Sequence, residues 1–134
     1  MPDHRIRFRG AWDWHGPEGE ADAEVQVARR VTLPADWPDG LDRPFRLLRR
    51  FGRPPFNPAT EGARLELAGV PGLIAARLNG RSLGEIPAGV VDWTIPLSDD
   101  LLPRNALVLE VALPPGPEGR RAWGSIALIV AGKG

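Results

Sequence analysis

The chain has 134 residues and 14.6 kDa, and its 17 basic side chains (Lys plus Arg) balance 17 acidic ones. A neutral chain offers no overall field to nucleic acid or to an anionic membrane, so we expect neither as a partner. Cysteine is absent, which excludes disulfides, thiolate catalysis and cysteine-based zinc sites. The length predicts a single domain over residues 1–134.

Apolar residues alternate with polar ones in short runs along the whole chain, and a period of two is typical of half-buried strands. The 16 glycines and 15 prolines break these runs into short pieces, and no segment shows a convincing helical period. We therefore predict about seven to nine strands in an all-β sandwich or barrel. The apolar positions in chain order are Ile6 and Phe8; Val25, Val27, Val31 and Leu33; Phe45, Leu47 and Phe51; Leu65 and Leu67; Ile74, Ala76 and Leu78; Val91, Trp93, Ile95 and Leu97; Leu107, Leu109, Val111 and Leu113; Ile126, Leu128 and Val130.

Asn79-Gly80 is the strongest local signal in the sequence. A two-residue type I′ turn needs a positive φ at both central positions, and Asn-Gly tolerates this best. We predict a hairpin there. Trp93 and Ile95 are two positions apart and so lie on the same face of their predicted strand, and Trp123 immediately precedes the last apolar run. Both indole rings are therefore predicted to lie in the core.

Catalytic groups are sparse. The serines Ser82, Ser98 and Ser125 lie in no nucleophile motif, and His4 and His15 have no metal-ligand spacing. We expect no enzyme activity, no cofactor and no metal centre.

An acidic series, Glu18, Glu20, Asp22 and Glu24, recurs at every second position. Such a series forms a solvated acidic face or supplies oxygen ligands to a calcium ion. The sequence leaves both interpretations open.

The N-terminal nine residues carry no apolar segment of a secretory signal. No run of 18 apolar residues occurs anywhere, so we expect no membrane-spanning helix. A cytoplasmic location follows as an expectation.

The remaining aromatic side chains lie near turns and proline-rich loops. A sugar ring needs a flat apolar side chain for its C–H face and a few oriented polar groups for its hydroxyls. Loop aromatics beside an amide meet both needs, although each ring could instead anchor its own loop. The candidate ligand-binding residues are Trp12, Trp14, Trp37, Phe56 and Asn57.

Several segments, in this order, resemble the N-terminal sugar-binding domain of the glycoside hydrolase family two enzymes. They are residues 31–37 with Trp37 at the end, Arg49-Arg50-Phe51, residues 65–70 ending in Gly-Val, the hairpin in 76–84 around Leu-Asn-Gly, residues 93–97 and residues 101–111. Trp123-Gly124 with the last strand extends the match. The resemblance implies a galactose-binding-like jelly roll of two antiparallel sheets.

In that family the catalytic carboxylates lie in a separate barrel domain, which needs about 250 residues. The resemblance therefore implies a non-catalytic carbohydrate-binding-like module. The alternative is a structural or protein-interaction domain with the same fold and no sugar site, whose partner is another protein.

Overall fold

The computed structural model describes residues 4–10, 12–15, 29–31, 33, 44–87, 89–97, 101–114 and 121–132. Within these ranges the chain forms ten β-strands. The described residues contain no helix that could cross a membrane. The strands are β1 (His4–Arg7), β2 (Trp12–His15), β3 (Arg29–Val31), β4 (Phe45–Gly52), β5 (Glu61–Ala68), β6 (Leu73–Leu78), β7 (Arg81–Glu85), β8 (Trp93–Pro96), β9 (Arg104–Val111) and β10 (Ser125–Gly132).

The strands pair into two antiparallel sheets. Sheet A has the order β1-β10-β5-β8, and sheet B has the order β3-β2-β4-β9-β6-β7. From β4 to β10 every connection crosses to the other sheet except the β6–β7 hairpin, which is the winding of a jelly roll. The predicted all-β jelly-roll sandwich of two antiparallel sheets is confirmed.

The core lies between the sheets and follows the predicted alternation. Leu65 and Leu67 of β5 face Leu107 and Leu109 of β9, and none of the four is more than 1% exposed. Burying one such side chain stabilises the fold by about 1.5–3 kcal/mol relative to leaving it in water. One contiguous cluster of this kind holds the two sheets together.

The sequence pattern misplaces one residue of β6. The alternation assigns Ile74 to the core, but Ile74 is 39% exposed, whereas Leu73 is buried. The pairing of β6 with β9 shifts between Leu73 and Ala75, so an irregularity resets the parity before Ala76. A one-residue shift exchanges the two faces of a strand, and sequence periodicity alone does not reveal it.

The predicted hairpin is confirmed. Asn79 has φ of 54° and Gly80 has φ of 82°, as a type I′ turn requires. The turn joins β6 to β7, where Leu78 pairs with Arg81.

The two tryptophans predicted to be core residues have different environments. Trp123 is 2% exposed and donates its indole N–H to the Pro71 carbonyl at 2.9 Å, as a core residue does. Trp93 is only half-buried, because β8 is the edge strand of sheet A. The prediction that Val91 faces the core is also wrong, because this residue precedes β8 and is 41% exposed.

The sandwich has two ends. We call one the hairpin end, since it carries the Asn79–Gly80 turn and the loop 53–60 between β4 and β5. We call the other the tryptophan end, where Trp123 precedes β10 and Ser125 pairs with Ala68. Strand β5 spans both ends, and its eight residues cover roughly 26 Å at about 3.3 Å each.

Candidate functional site

Loop 53–60 holds the part of the predicted ligand patch that is described in most detail. Asn57 is exposed and closes a tight turn there: its side-chain oxygen accepts the Ala59 amide at 3.0 Å. Its carbonyl accepts the amides of Thr60 and Glu61, and its own amide donates to the Glu61 Oε1 at 3.0 Å. This Asx turn fixes the position of Asn57 at the hairpin end.

Phe56 lies beside Asn57 and is half-buried, with its ring packed against the core. The Arg53 guanidinium carbon lies 4.6 Å from the centre of this ring, within the range of a cation–π interaction. One face of the ring is therefore covered by a cation. The surface available to a ligand consists of the uncovered part of the Phe56 ring, the side-chain amide of Asn57 and the N–H donors of Arg53.

Arg53 is a residue that the sequence analysis missed. It is exposed, three positions before Phe56, in a segment rich in proline. The signal was available: an arginine near an exposed aromatic ring supplies a planar fork of donors that suits hydroxyl and carboxylate oxygens.

The assignment of Trp12 to a ligand patch is wrong. Residues 12–15 form β2, paired with β3 and β4, rather than a loop. The Trp12 side chain is fully buried and its indole N–H donates to the Phe8 carbonyl at 2.8 Å. A ring enclosed on both faces cannot serve as a platform for a sugar.

The other two candidates are not brought together with Phe56. The Trp14 backbone lies in β2, paired with Leu47, while Phe56 follows the far end of β4 at Gly52. Leu47 and Gly52 are five residues apart along β4, a distance of roughly 17 Å. The Trp14 side chain and the whole of Trp37 lie outside the described residues.

Among the described residues, no cluster of three or more His, Cys, Asp or Glu could hold a metal ion. The acidic series from Glu18 to Glu24 lies outside the described ranges, so a calcium site there stays a prediction. Ser82 uses its hydroxyl oxygen to accept the Gly84 amide at 3.2 Å, a local turn contact.

Arg49 is a cation on an inward-facing position of β4. Its guanidinium carbon lies 4.7 Å from the centre of the Phe8 ring, and Nη1 donates to the Arg50 carbonyl at 3.3 Å. The buried Nε has no acceptor among the residues that the structure describes. Burial lowers the pKa of Arg49 below its usual value, because the charged form is less well solvated there.

No family model and no curated protein matches the chain. Solved structures do match it. An FMN-binding β-glucuronidase from Facaelibacterium prausnitzii L2-6 aligns with 96% of this chain at 20% identity and a TM-score of 0.74. A β-glycosidase from Bacteroides vulgatus aligns with 96% at 17% identity and a TM-score of 0.69. A β-glucuronidase from Ruminococcus gnavus in complex with D-glucuronic acid aligns with 96% at 15% identity and a TM-score of 0.68.

The match covers only 22%, 20% and 29% of those three chains. The chain has the fold of one domain of larger glycosidases. This share fits the N-terminal jelly roll that the sequence segments resemble, and the resemblance is confirmed at the level of the fold. At such identities the likeness extends to the jelly roll and not to the activities of those enzymes.

Proposed function

We propose that the chain is a non-catalytic, carbohydrate-binding-like accessory module, a single domain over residues 1–134. The observation that supports this most is the asymmetry of the structural match: nearly the whole chain aligns with about a fifth to three tenths of glycosidase chains. A jelly roll within a larger glycosidase acts next to a catalytic domain, where it can hold or position a saccharide. A cytoplasmic location stays a prediction.

Loop 53–60 is the sugar contact in this proposal. The Phe56 ring supplies apolar surface for pyranose C–H groups, and Asn57 and Arg53 supply directional donors and an acceptor for hydroxyls. Because the Asx turn already fixes Asn57, little conformational entropy is lost when a ligand binds. Of the ligand-binding residues predicted from the sequence, Phe56 and Asn57 carry the proposal, while Trp14 and Trp37 stay predictions.

A glycan array followed by an NMR titration of the ¹⁵N-labelled chain tests the proposal. We expect a neutral pyranoside to shift the amides of residues 53–60, and we expect Arg53→Gln combined with Asn57→Ala to weaken binding by about tenfold. Arg104→Gln is the matched control, since it removes an exposed arginine at the same end, where Arg104 pairs with Gly52. Unchanged affinity in the double variant would contradict the assignment of the loop.

A structural or protein-interaction domain is the second candidate. Two observations favour it: Trp12 and Trp123 are both buried with their indole N–H groups satisfied by backbone carbonyls, and Arg53 covers one face of Phe56. A folded chain that binds no glycan on the array supports this second function over the first.

A further inference from the structure

Strand β1 lies at one edge of sheet A, and half of its backbone groups face that edge. Within the described residues β1 pairs only with β10. The Phe8 amide, just after β1, donates to the Ile126 carbonyl at 2.9 Å, so these two residues form a hydrogen-bonded pair of the ladder. Hydrogen-bonded and non-hydrogen-bonded pairs alternate in an antiparallel ladder. The N–H and C=O groups of Arg5 and Arg7 therefore point away from β10, toward the edge.

The backbone groups at this edge are paired beyond β1 but not along it. Arg5 and Arg7 are exposed, and no hydrogen bond to their edge-facing backbone groups occurs within the described part of the chain. Two residues past the strand, the Arg9 carbonyl accepts the amide of Leu33, which lies beyond β3. A second backbone thus already fits alongside the continuation of this edge. Exposed, unpaired strand groups are a template for pairing with another chain.

The outer face of sheet A beside this edge is positively charged. The register places Arg5 in one row with Arg64, and Arg7 in the next row with Glu66. Among the described strands of the sheet, these four residues are the outward-facing charged side chains. The Glu66 carboxylate lies 3.1 Å from the Arg5 guanidinium and 3.7 Å from that of Arg64, so two cations share it. Arg7 makes no ion pair within the described residues, and the face therefore has an excess of cations.

We propose that the β1 edge binds an extended acidic segment of a partner protein, which adds to sheet A as a further strand. The backbone of the segment bonds the edge-facing N–H and C=O groups of Arg5 and Arg7, a mode of recognition known as β-strand addition. Side chains of a strand alternate between its two faces, so acids at every second position of the segment lie on the same face as both arginines. Opposite charges on adjacent strands favour the pairing, and arginine binds a carboxylate through two parallel N–H···O bonds.

The unpaired backbone groups favour a peptide over other polyanions. A nucleic acid or an anionic lipid surface supplies negative charge but no row of amide donors and carbonyl acceptors with the spacing of a strand. Arg7 favours an acidic peptide over a neutral one, because its guanidinium has no carboxylate partner among the described residues. The proposal does not depend on a sugar contact, and it uses none of the residues of loop 53–60.

Amide hydrogen exchange, followed by NMR in the presence of a synthetic peptide, tests the proposal. The probe is a short blocked peptide of alternating threonine and glutamate, and its matched control replaces every glutamate with glutamine. We expect the acidic probe to slow exchange of the Arg5 and Arg7 amides by about tenfold or more. The Ile6 and Phe8 amides are the internal control, since they face β10 and should change little. Equal protection by the glutamine peptide would overturn the charge contact.

Two further probes separate strand addition from attraction between charges. The glutamate peptide with every amide N-methylated keeps its charge but loses its N–H donors, so we expect it to protect neither Arg5 nor Arg7. A single-stranded oligothymidylate supplies phosphates without peptide groups and should behave in the same way. Protection of these amides by either probe would show that the site binds polyanions in general and would overturn strand addition.

Variants of the outer face test the role of the arginines. Arg7→Gln removes the unpaired charge and keeps the ion pair of Arg5 with Glu66, and it should weaken binding of the acidic peptide by about tenfold. Arg104→Gln is the matched control: it removes an exposed arginine from sheet B and should leave the affinity unchanged. Charges on an edge strand such as β1 also prevent aggregation. If the Arg7 variant loses solubility but binds the peptide as before, the proposal is wrong.

Discussion

The side-chain nitrogen of Asn79 donates to the side-chain oxygen of Asn105, 3.0 Å away, and so joins the β6–β7 turn to the start of β9. Asn105 is 3% exposed, and its side chain also bonds both the amide and the carbonyl of Leu102 at 2.9 Å. Asn79 in turn accepts the Ala106 amide at 2.8 Å. Both asparagines belong to the segments that carry the family resemblance, so these motifs hold the backbone at the hairpin end in place.

Asn105→Ala should lower the free energy of unfolding by about 2–4 kcal/mol. The substitution removes the hydrogen bonds of the buried Asn105 side chain to Leu102, Asn79 and the Phe51 carbonyl, and each such bond contributes about 0.5–1.5 kcal/mol. Urea denaturation measures the change. Asn57→Ala is the control: it removes one exposed Asx-turn bond and should cost much less. Equal losses in the two variants would show that the Asn105 network contributes little.

Gly80→Val should destabilise the chain by about 1–2 kcal/mol or more, the cost of a left-handed conformation for a residue with a Cβ. A Cβ at Gly80 meets no atom within 4 Å, so the cost is purely conformational. Gly132→Val in β10 is the matched control, because its Cβ is equally unobstructed and its φ is not positive. Thermal unfolding of both variants decides the point, and a Gly80 variant as stable as the Gly132 variant would contradict it.

Trp12→Ala and Trp93→Ala should lower the free energy of unfolding by different amounts. Trp12 is fully buried and hydrogen-bonded, so its loss should cost about 3–5 kcal/mol, the usual range for emptying a large aromatic site. Trp93 is half-buried on an edge strand, where its ring also packs against Gly84, and its loss should cost about half as much. Chemical denaturation of the pair checks this ranking, and a larger loss for Trp93 would reverse it.

The sequence predicts most of the fold because the alternation of side chains has a local cause. The buried face of β5 and β9 follows from the alternation of Leu65 and Leu67, and of Leu107 and Leu109, with their polar neighbours. The turn follows from Asn79-Gly80, since this pair tolerates the positive φ angles that the turn needs. The exceptions arise where distant pairing intervenes: only the register of β6 against β9 turns Ile74 outward. Nothing in the local sequence reports that register.

The candidate site was harder to predict, because binding surfaces depend on exposure, and exposure depends on tertiary packing. Trp12 and Phe56 both follow turn-rich segments, yet pairing with β3 and β4 buries the first and leaves the second half-exposed. A recess of about 100 Å³ is lined both by Phe8 and by Trp123, which lies more than a hundred positions later in the chain. Such a contact between distant segments has no sequence motif.

Arg49→Met should stabilise the chain. Arg49 lies on the same inward face of β4 as Leu47 and Phe51. Within the described part of the chain its buried Nε has no acceptor, and an unsatisfied donor of this kind costs about 1–3 kcal/mol. The stacking of its guanidinium on Phe8 recovers about 0.5–2 kcal/mol. Methionine keeps an unbranched stem of similar length and contacts aromatic rings through its sulfur, so we expect a net gain of about 1 kcal/mol.

The pH dependence of this gain has a definite sign. Burial lowers the pKa of Arg49 in the folded chain, so the unfolded chain holds this proton more tightly. The penalty of the buried charge is therefore fully present at neutral pH, and it fades only as the pH rises toward and above the lowered folded pKa. Urea denaturation near neutral pH should therefore show the full gain in stability. Arg50→Met, at an exposed neighbour whose side chain is 74% accessible and pairs loosely with Asp13, is the control and should change stability little. A loss of stability in Arg49→Met would mean that stacking on Phe8 outweighs the unsatisfied Nε.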